Sequence, residues 1–359
     1  MARDRQSSAS RIPMSVPGIR PILFLVGLVL LATAAMMLFP MFADLYYRSP
    51  DWRAFAIAAS ISAGIGGFLT YSNRRSLKAG LTLRQAFMLT PLSWFSVAAV
   101  SAMPFFFSDY GIVSGSLADS FFEAVSGITT TGATVISGLE QAPPGMLLWR
   151  ALLQWMGGIG IIATAIAILP ALGIGGMQLF RMESSDRSDK VVPRVSDLAL
   201  LLGSTYLFVT VLCFAALRIA GMSSFDAANH AMTTVATGGF STSDGSVGAW
   251  ESPVHWVITI FMIVGALPFV RYISMVRGQR GALWADDQVR GFLGMLLGIW
   301  LVVTAYLVLT TDIPVGRALT LAAFNTTSIA TTTGFATADY QLWGPAMVPF
   351  FYLLMMLGG

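Results

Sequence analysis

Charge and metal-binding side chains are both scarce in this chain of 359 residues. Only 11% of it is Asp, Glu, Lys or Arg, against roughly 25% in soluble domains. So few charges cannot cover a water-facing surface, and a hydrophobic content of 55% points to lipid as the solvent for most of the molecule. The single cysteine, Cys213, sits inside an apolar run, which leaves no disulfide framework and no thiolate metal site. His230 and His255, the only histidines, are too few and too scattered for a metal cluster. Metalloenzyme and cysteine-protease chemistry have almost nothing to build on, and the chain is not expected to be an enzyme.

What the chain has instead is apolar runs of the length that crosses a bilayer, about 20 residues. They cover Pro21 to Met41, Ala54 to Tyr71, Ala86 to Phe107, Met146 to Leu172, Leu198 to Ala220, Val254 to Val270 and Gly291 to Leu309. An eighth starts near Ala346 and still runs at Gly359. The runs are apolar all round and do not alternate polar with apolar residues, so they predict helices and not a β-barrel. The first is too long for a signal-peptide core and reads as a retained helix.

Basic residues mark the two sides. The N-terminus (Arg3, Arg5, Arg11, Arg20) and three connections (Arg74, Arg75, Lys78, Arg84; Arg181, Arg187, Lys190, Arg194; Arg271, Arg277, Arg280, Arg290) form one set. Only Arg48, Arg53, Arg150, Arg218 and Arg317 fall on the other. The positive-inside rule makes the first set, and the N-terminus, cytoplasmic. Three long connections, 108–145, 221–253 and 311–345, then face outside. Their middles are uncharged and moderately apolar, the character of segments that dip back into a membrane.

Those connections align on a Thr-Gly pair: Thr129-Thr130-Thr131-Gly132, Val235-Ala236-Thr237-Gly238 and Thr331-Thr332-Thr333-Gly334. Phe122, Ala228 and Phe324 then share a column, as do Glu123, Asn229 and Asn325. A period near 100 residues with two crossings per unit implies parallel repeats around an axis. Short helical runs, Ser120 to Ile128, Phe225 to Thr234 and Ala318 to Ile329, precede the pairs and would aim their negative C-terminal ends at a cation. Thr130, Thr131, Gly132, Ala236, Thr237, Gly238, Thr332, Thr333 and Gly334 are the candidate ion ligands, with glycine freeing the backbone to point carbonyls inward. No carboxylate lies within these stretches, which favours a monovalent ion held by carbonyls over a divalent one held by acidic rings. Outer acids such as Glu140, Asp226 and Asp244 would draw cations to the mouth. Glu123, Asn229 and Asn325 are candidates to orient the short helices. Gly157, Gly158 and Gly160 are expected at close helix contacts, and Trp149, Trp155, Trp250 and Trp256 as interfacial anchors.

The runs Phe121-Phe122-Glu123-Ala124-Val125-Ser126-Gly127, Gln154-Trp155-Met156-Gly157-Gly158-Ile159-Gly160, Gly175-Gly176-Met177-Gln178-Leu179 and Gly238-Gly239-Phe240-Ser241-Thr242 resemble the Trk/Ktr/HKT superfamily, most closely its TrkH/TrkG type. The resemblance implies an all-α integral membrane protein of the bacterial inner membrane: four tandem repeats of helix, re-entrant pore loop and helix around one potassium path, after two extra transmembrane helices. The corresponding divisions are 1–84 for the extension and 85–195, 196–287 and 288–359 for repeats 1 to 3. The third is incomplete, and a fourth, with the gating loop, is expected past a C-terminal truncation at Gly359. It further implies K⁺ as the transported ion with no prosthetic group, a homodimer, and a cytoplasmic nucleotide-binding TrkA-type regulatory subunit. Nucleic acid is not an expected partner. Gly132 stands where potassium-selective members carry glycine and sodium-preferring ones serine. Symport coupled to sodium or protons, a sodium-permeable HKT-like transporter and a non-transporting scaffold are the alternatives.

Overall fold

The computed structural model describes residues 18–76, 82–168, 195–279 and 281–358. The basic connection at 181–194 and the glycines at 173, 175 and 176 lie outside the described residues, as do Arg3, Arg5, Arg11, Lys78 and Arg280. Among the described residues every regular element is helical.

The chain opens with α1 (Arg20–Met36), α2 (Leu38–Tyr46) and α3 (Trp52–Asn73). α1 and α3 cross with their backbones in contact: a Cβ on Gly27 would lie 2.8 Å from the Gly66 carbonyl oxygen, and one on Gly66 would lie 2.8 Å from that of Gly27. Apolar residues gain little from meeting one another when lipid is the alternative, so close approach through small residues is what joins such helices.

Three groups then follow, each a long helix, a shorter one and a third. First come α4 (Leu83–Ser101) with its extension α5 (Met103–Phe107), then α6 (Leu117–Ile128) and α7 (Pro144–Ile168). Next are α8 (Val195–Ile219), α9 (Ser224–Val235) and α10 (Ser252–Ala266) with α11 (Phe269–Val276). Last are α12 (Asp287–Thr310), α13 (Val315–Ala330) and α14 (Met347–Gly358). α6 and α9 have 12 residues each, about 18 Å at 1.5 Å per residue, far short of a hydrocarbon core of about 30 Å. Each starts at a serine cap: Ser116 and Ser223 accept from the backbone N–H of Asp119 and Asp226, and those carboxylates sit in the first turn, where the helix dipole favours them.

Among the described residues, five helices are long and apolar enough to cross a membrane, or six if the bent pair α10–α11 counts as one span. The sequence predicts an unbroken helix over Val254 to Val270, but the chain turns by 88° between Ala266 and Phe269. Pro268 is the cause. Its missing N–H would have bonded the Val264 carbonyl, which instead accepts from the Tyr272 hydroxyl at 2.8 Å.

Buried apolar residues gather in three clusters that follow the three helical groups, with α1 and α3 joining the first. Trp149, expected at a membrane interface, is fully buried in the first cluster, its indole N–H donating to the Ser101 carbonyl at 3.0 Å. Its neighbours along α7 make the close contacts predicted for glycine. A Cβ on Gly158 would meet the Tyr206 hydroxyl at 2.6 Å, while Gly160 has room, with Trp94 at 3.9 Å.

Candidate functional site

Each short helix, α6, α9 and α13, ends in the same turn and then runs on in extended form. Thr131 N–H reaches the Ser126 carbonyl at 2.9 Å, Gly238 N–H that of Thr233 at 2.8 Å, and Thr333 N–H that of Ser328 at 2.8 Å. Thr130, Thr237 and Thr332 have φ of 56°, 50° and 58°, and Gly132, Gly239 and Gly334 have φ of 79°, 77° and 86°. The residue between each pair stays on the negative side. Positive φ on a β-branched residue is rare and costs about 1–3 kcal/mol, and such strain persists where function needs it.

This geometry corrects the sequence register by one residue in the second segment. The structural counterpart of Gly132 and Gly334 is Gly239, while Gly238 corresponds to Thr131 and Thr333. Ala236, grouped with Thr130 by alignment, corresponds to Thr129. The Gly238-Gly239 pair made either glycine an acceptable match in the sequence.

The three segments lie side by side through one repeated contact. A Cβ on Gly132 would sit 2.1 Å from the Gly238 carbonyl oxygen, and one on Gly239 would sit 2.0 Å from the Thr333 carbonyl oxygen. Glycine at these two positions is required by space as well as by φ. A Cβ on Gly334 would meet nothing within 4 Å.

Behind each segment a side chain ties the short helix to the returning strand. Glu123 accepts from the Thr134 hydroxyl at 2.8 Å and the Val135 N–H at 3.1 Å. Asn325 accepts from Thr337 N–H at 3.2 Å and donates to the Thr337 hydroxyl at 2.8 Å. In the corrected register the second tie is His230, whose Nε2 lies 3.0 Å from the Ser241 hydroxyl. Asn229, the expected residue, does not take this role: its amide donates back to Phe225 within the helix, and its Oδ1 is buried without a partner.

Two residues to which the sequence analysis gave no role at the site connect the first segment to the second. Arg150, counted as an outer-side charge, is 1% exposed, and its Nε donates to Glu123 at 2.7 Å. It also donates to the Ser241 carbonyl at 2.9 Å and covers the Phe240 ring at 4.1 Å. One turn further along α7, the fully buried Gln154 donates to the Gly238 carbonyl at 2.6 Å and accepts from Phe240 N–H at 3.0 Å. The signal was there as two polar residues at i and i+4 inside an apolar run.

Carboxylates lace the loops between α6 and α7 and between α9 and α10. Asp244 accepts from the Gly138 and Leu139 N–H groups at 2.6 and 3.0 Å, and Glu140 accepts from the Ser243 hydroxyl and Asp244 N–H at 2.6 and 3.0 Å. The Ser243 hydrogen bond is the main cause that holds the Glu140 carboxyl below its ordinary value of 4.5. The second and third loops are tied by Val247 N–H to the Ala336 carbonyl at 3.1 Å and Ala336 N–H to the Ser246 hydroxyl at 3.1 Å. No cluster of three or more His, Cys, Asp or Glu side chains able to hold a metal ion occurs among the described residues.

Three segments with the same alternation of φ, one at the end of each short helix, thus lie side by side. The profile of TrkH, described as a cation transport protein, matches residues 52–359. The chain belongs to the TrkH family. It is 43% identical over 344 residues to the Trk system potassium uptake protein TrkI of Halomonas elongata, covering 94% of this chain and 68% of that one. It is 40% identical over 337 residues to the Trk system potassium uptake protein TrkH of Salmonella typhimurium, covering 92% and 68%. The crystal structure of the potassium transporter TrkH from Vibrio parahaemolyticus superposes with a TM-score of 0.83 at 33% identity, covering 94% of this chain and 69% of that one. Membership in the TrkH family makes the chain a membrane transporter and not an enzyme, with an all-helical fold shared with the solved relative.

Proposed function

We propose that this chain carries potassium into a bacterial cell across the inner membrane as the transmembrane subunit of a Trk-type uptake system. The carrying observation is the repeated contact that sets three segments of alternating φ side by side, Gly132 against Gly238 and Gly239 against Thr333. In this reading the short helices and the segments after them re-enter the membrane from outside. Main-chain oxygens of Thr130, Thr131 and Gly132, of Thr237 and Gly239, and of Thr332, Thr333 and Gly334 replace the ion's hydration shell, while Ala236 and Gly238, whose oxygen is turned to Gln154, place the second segment. Inward flux then follows the membrane potential, worth about 2.3 kcal/mol per charge per 100 mV.

The same reading makes the N-terminus cytoplasmic, the protein a homodimer, and the basic cytoplasmic connections the docking face for a TrkA-type regulator. Two of those basic residues are already engaged: Arg271 with Asp286 at 2.8 Å, and Arg290 with Asp287.

The test is cation flux through the full-length chain in liposomes, with growth of an uptake-deficient bacterium at low potassium as the cellular counterpart. Wild type should pass K⁺ in preference to Na⁺, and Gly132→Ser should erode that preference. Selectivity unchanged in the Ser variant would remove Gly132 from the ion path.

A further inference from the structure

Gln154 stands where the neighbouring groups leave it no equivalent. It lies three residues before Gly157, whose Cβ position falls 2.0 Å from the Ile128 carbonyl at the end of α6. Gly265 of α10 stands in the same relation to Val235, at 2.8 Å, and three residues before it is Met262, which has no hydrogen to donate. The Phe240 N–H fixes which end of the Gln154 amide is oxygen, so the nitrogen must face the Gly238 carbonyl. That carbonyl is the one packed against Gly132.

We infer that Gln154 is a specificity-determining positioning residue, clamping the 238–240 backbone so that one lone pair of the Gly238 carbonyl is taken by an amide hydrogen. Held at both ends, the 238–240 backbone cannot draw in around a small ion, and the Gly239 carbonyl, opposite the Phe240 N–H across their shared peptide, keeps its direction. This stiffness disfavours Na⁺, which needs close, strong ligands to repay its larger dehydration cost, and so favours the larger K⁺. The inference rests on the proposed ion path through these segments, and it adds an asymmetry: the junction between the first two segments is stiffened by a side-chain amide that α10 does not supply at the next.

The experiment compares full-length wild type, Gln154→Met and Gln154→Glu for K⁺, Rb⁺ and Na⁺ flux in liposomes, normalised to protein inserted. Met keeps the volume and copies α10. Glu keeps the acceptor for Phe240 N–H but sets an oxygen against the Gly238 carbonyl. The expected result is retained flux with a K⁺ to Na⁺ ratio lowered about fivefold in Met, the scale of one lost hydrogen bond, and lowered further in Glu. Flux with an unchanged ratio in either variant overturns the inference, as does failure of both to insert or conduct, which would make Gln154 a structural residue only. A wild type that shows no K⁺ preference would instead sink the proposed function, so the two failures are distinguishable.

Discussion

Gly157 and Ile128 meet so closely that no side chain fits between them: a Cβ on Gly157 would lie 2.0 Å from the last carbonyl oxygen of α6. The relation recurs at Gly265 with Val235, at 2.8 Å, and at Gly358 with Ala330, at 2.6 Å. In each group the helix that follows comes up against the carbonyl end of α6, α9 or α13, and glycine is what allows it.

Gly157→Ala should therefore force α7 away from α6, at a cost of about 1–3 kcal/mol for overpacking. Gly294→Ala, on α12 with nothing within 4 Å, should be neutral. Thermal unfolding of the two purified variants in detergent checks the contrast, and equal midpoints would contradict it.

Arg150→Met should destabilise by about 3–5 kcal/mol, because it strands the buried Glu123 carboxylate without its cation. Adding Glu123→Gln should recover part of that loss, since the remaining group is neutral. A double-mutant cycle on unfolding midpoints measures the coupling, and strict additivity would show that the pair does not act as a unit.

The corrected register predicts different costs for two asparagines. Asn325→Leu removes the acceptor for Thr337 N–H and should cost about 1–3 kcal/mol. Asn229→Leu loses only a bond back to its own helix and should cost well under half of that. Stability and flux of both variants decide the matter; a more damaging Asn229→Leu would restore the register read from sequence.

Glu140 ties the loop after α6 to the loop after α9 while ionised. Its pKa is lowered in the folded protein, so its contribution is present above its unfolded value and is lost as pH falls through the lower folded one. Wild type should thus be more stable than Glu140→Gln at neutral pH, and the difference should vanish as the medium is taken well below pH 4.5. Unfolding midpoints across that range read the effect.

The helical, membrane-embedded class was legible because apolar runs leave little else to satisfy a backbone in lipid. The repeated Thr-Gly pair brought Thr130, Gly132, Thr332 and Gly334 into one alignment, and positive φ at Gly132 and Gly334 fits glycine, whereas nothing in the sequence marks a threonine for positive φ. Gly239 could not be told from Gly238, because alignment sees identity and not hydrogen-bond register. The role of Arg150 was hidden for a related reason: a charge near the end of an apolar run shows only a side until a buried partner such as Glu123 is located. The recurring Gly157, Gly265 and Gly358 were visible in the sequence, yet their meaning depended on which carbonyl each one faces.

The elbow after α10 deserves the same reading of partners. A proline removes one amide hydrogen at position 268, and the Tyr272 phenol, eight residues past the orphaned Val264 oxygen, supplies a replacement from the far arm of the bend. Two arms joined only by a loop would flex with the surrounding bilayer. Joined also by that strut they form a closed triangle, so a push on α11 is passed to α10 as torque instead of being absorbed at the corner.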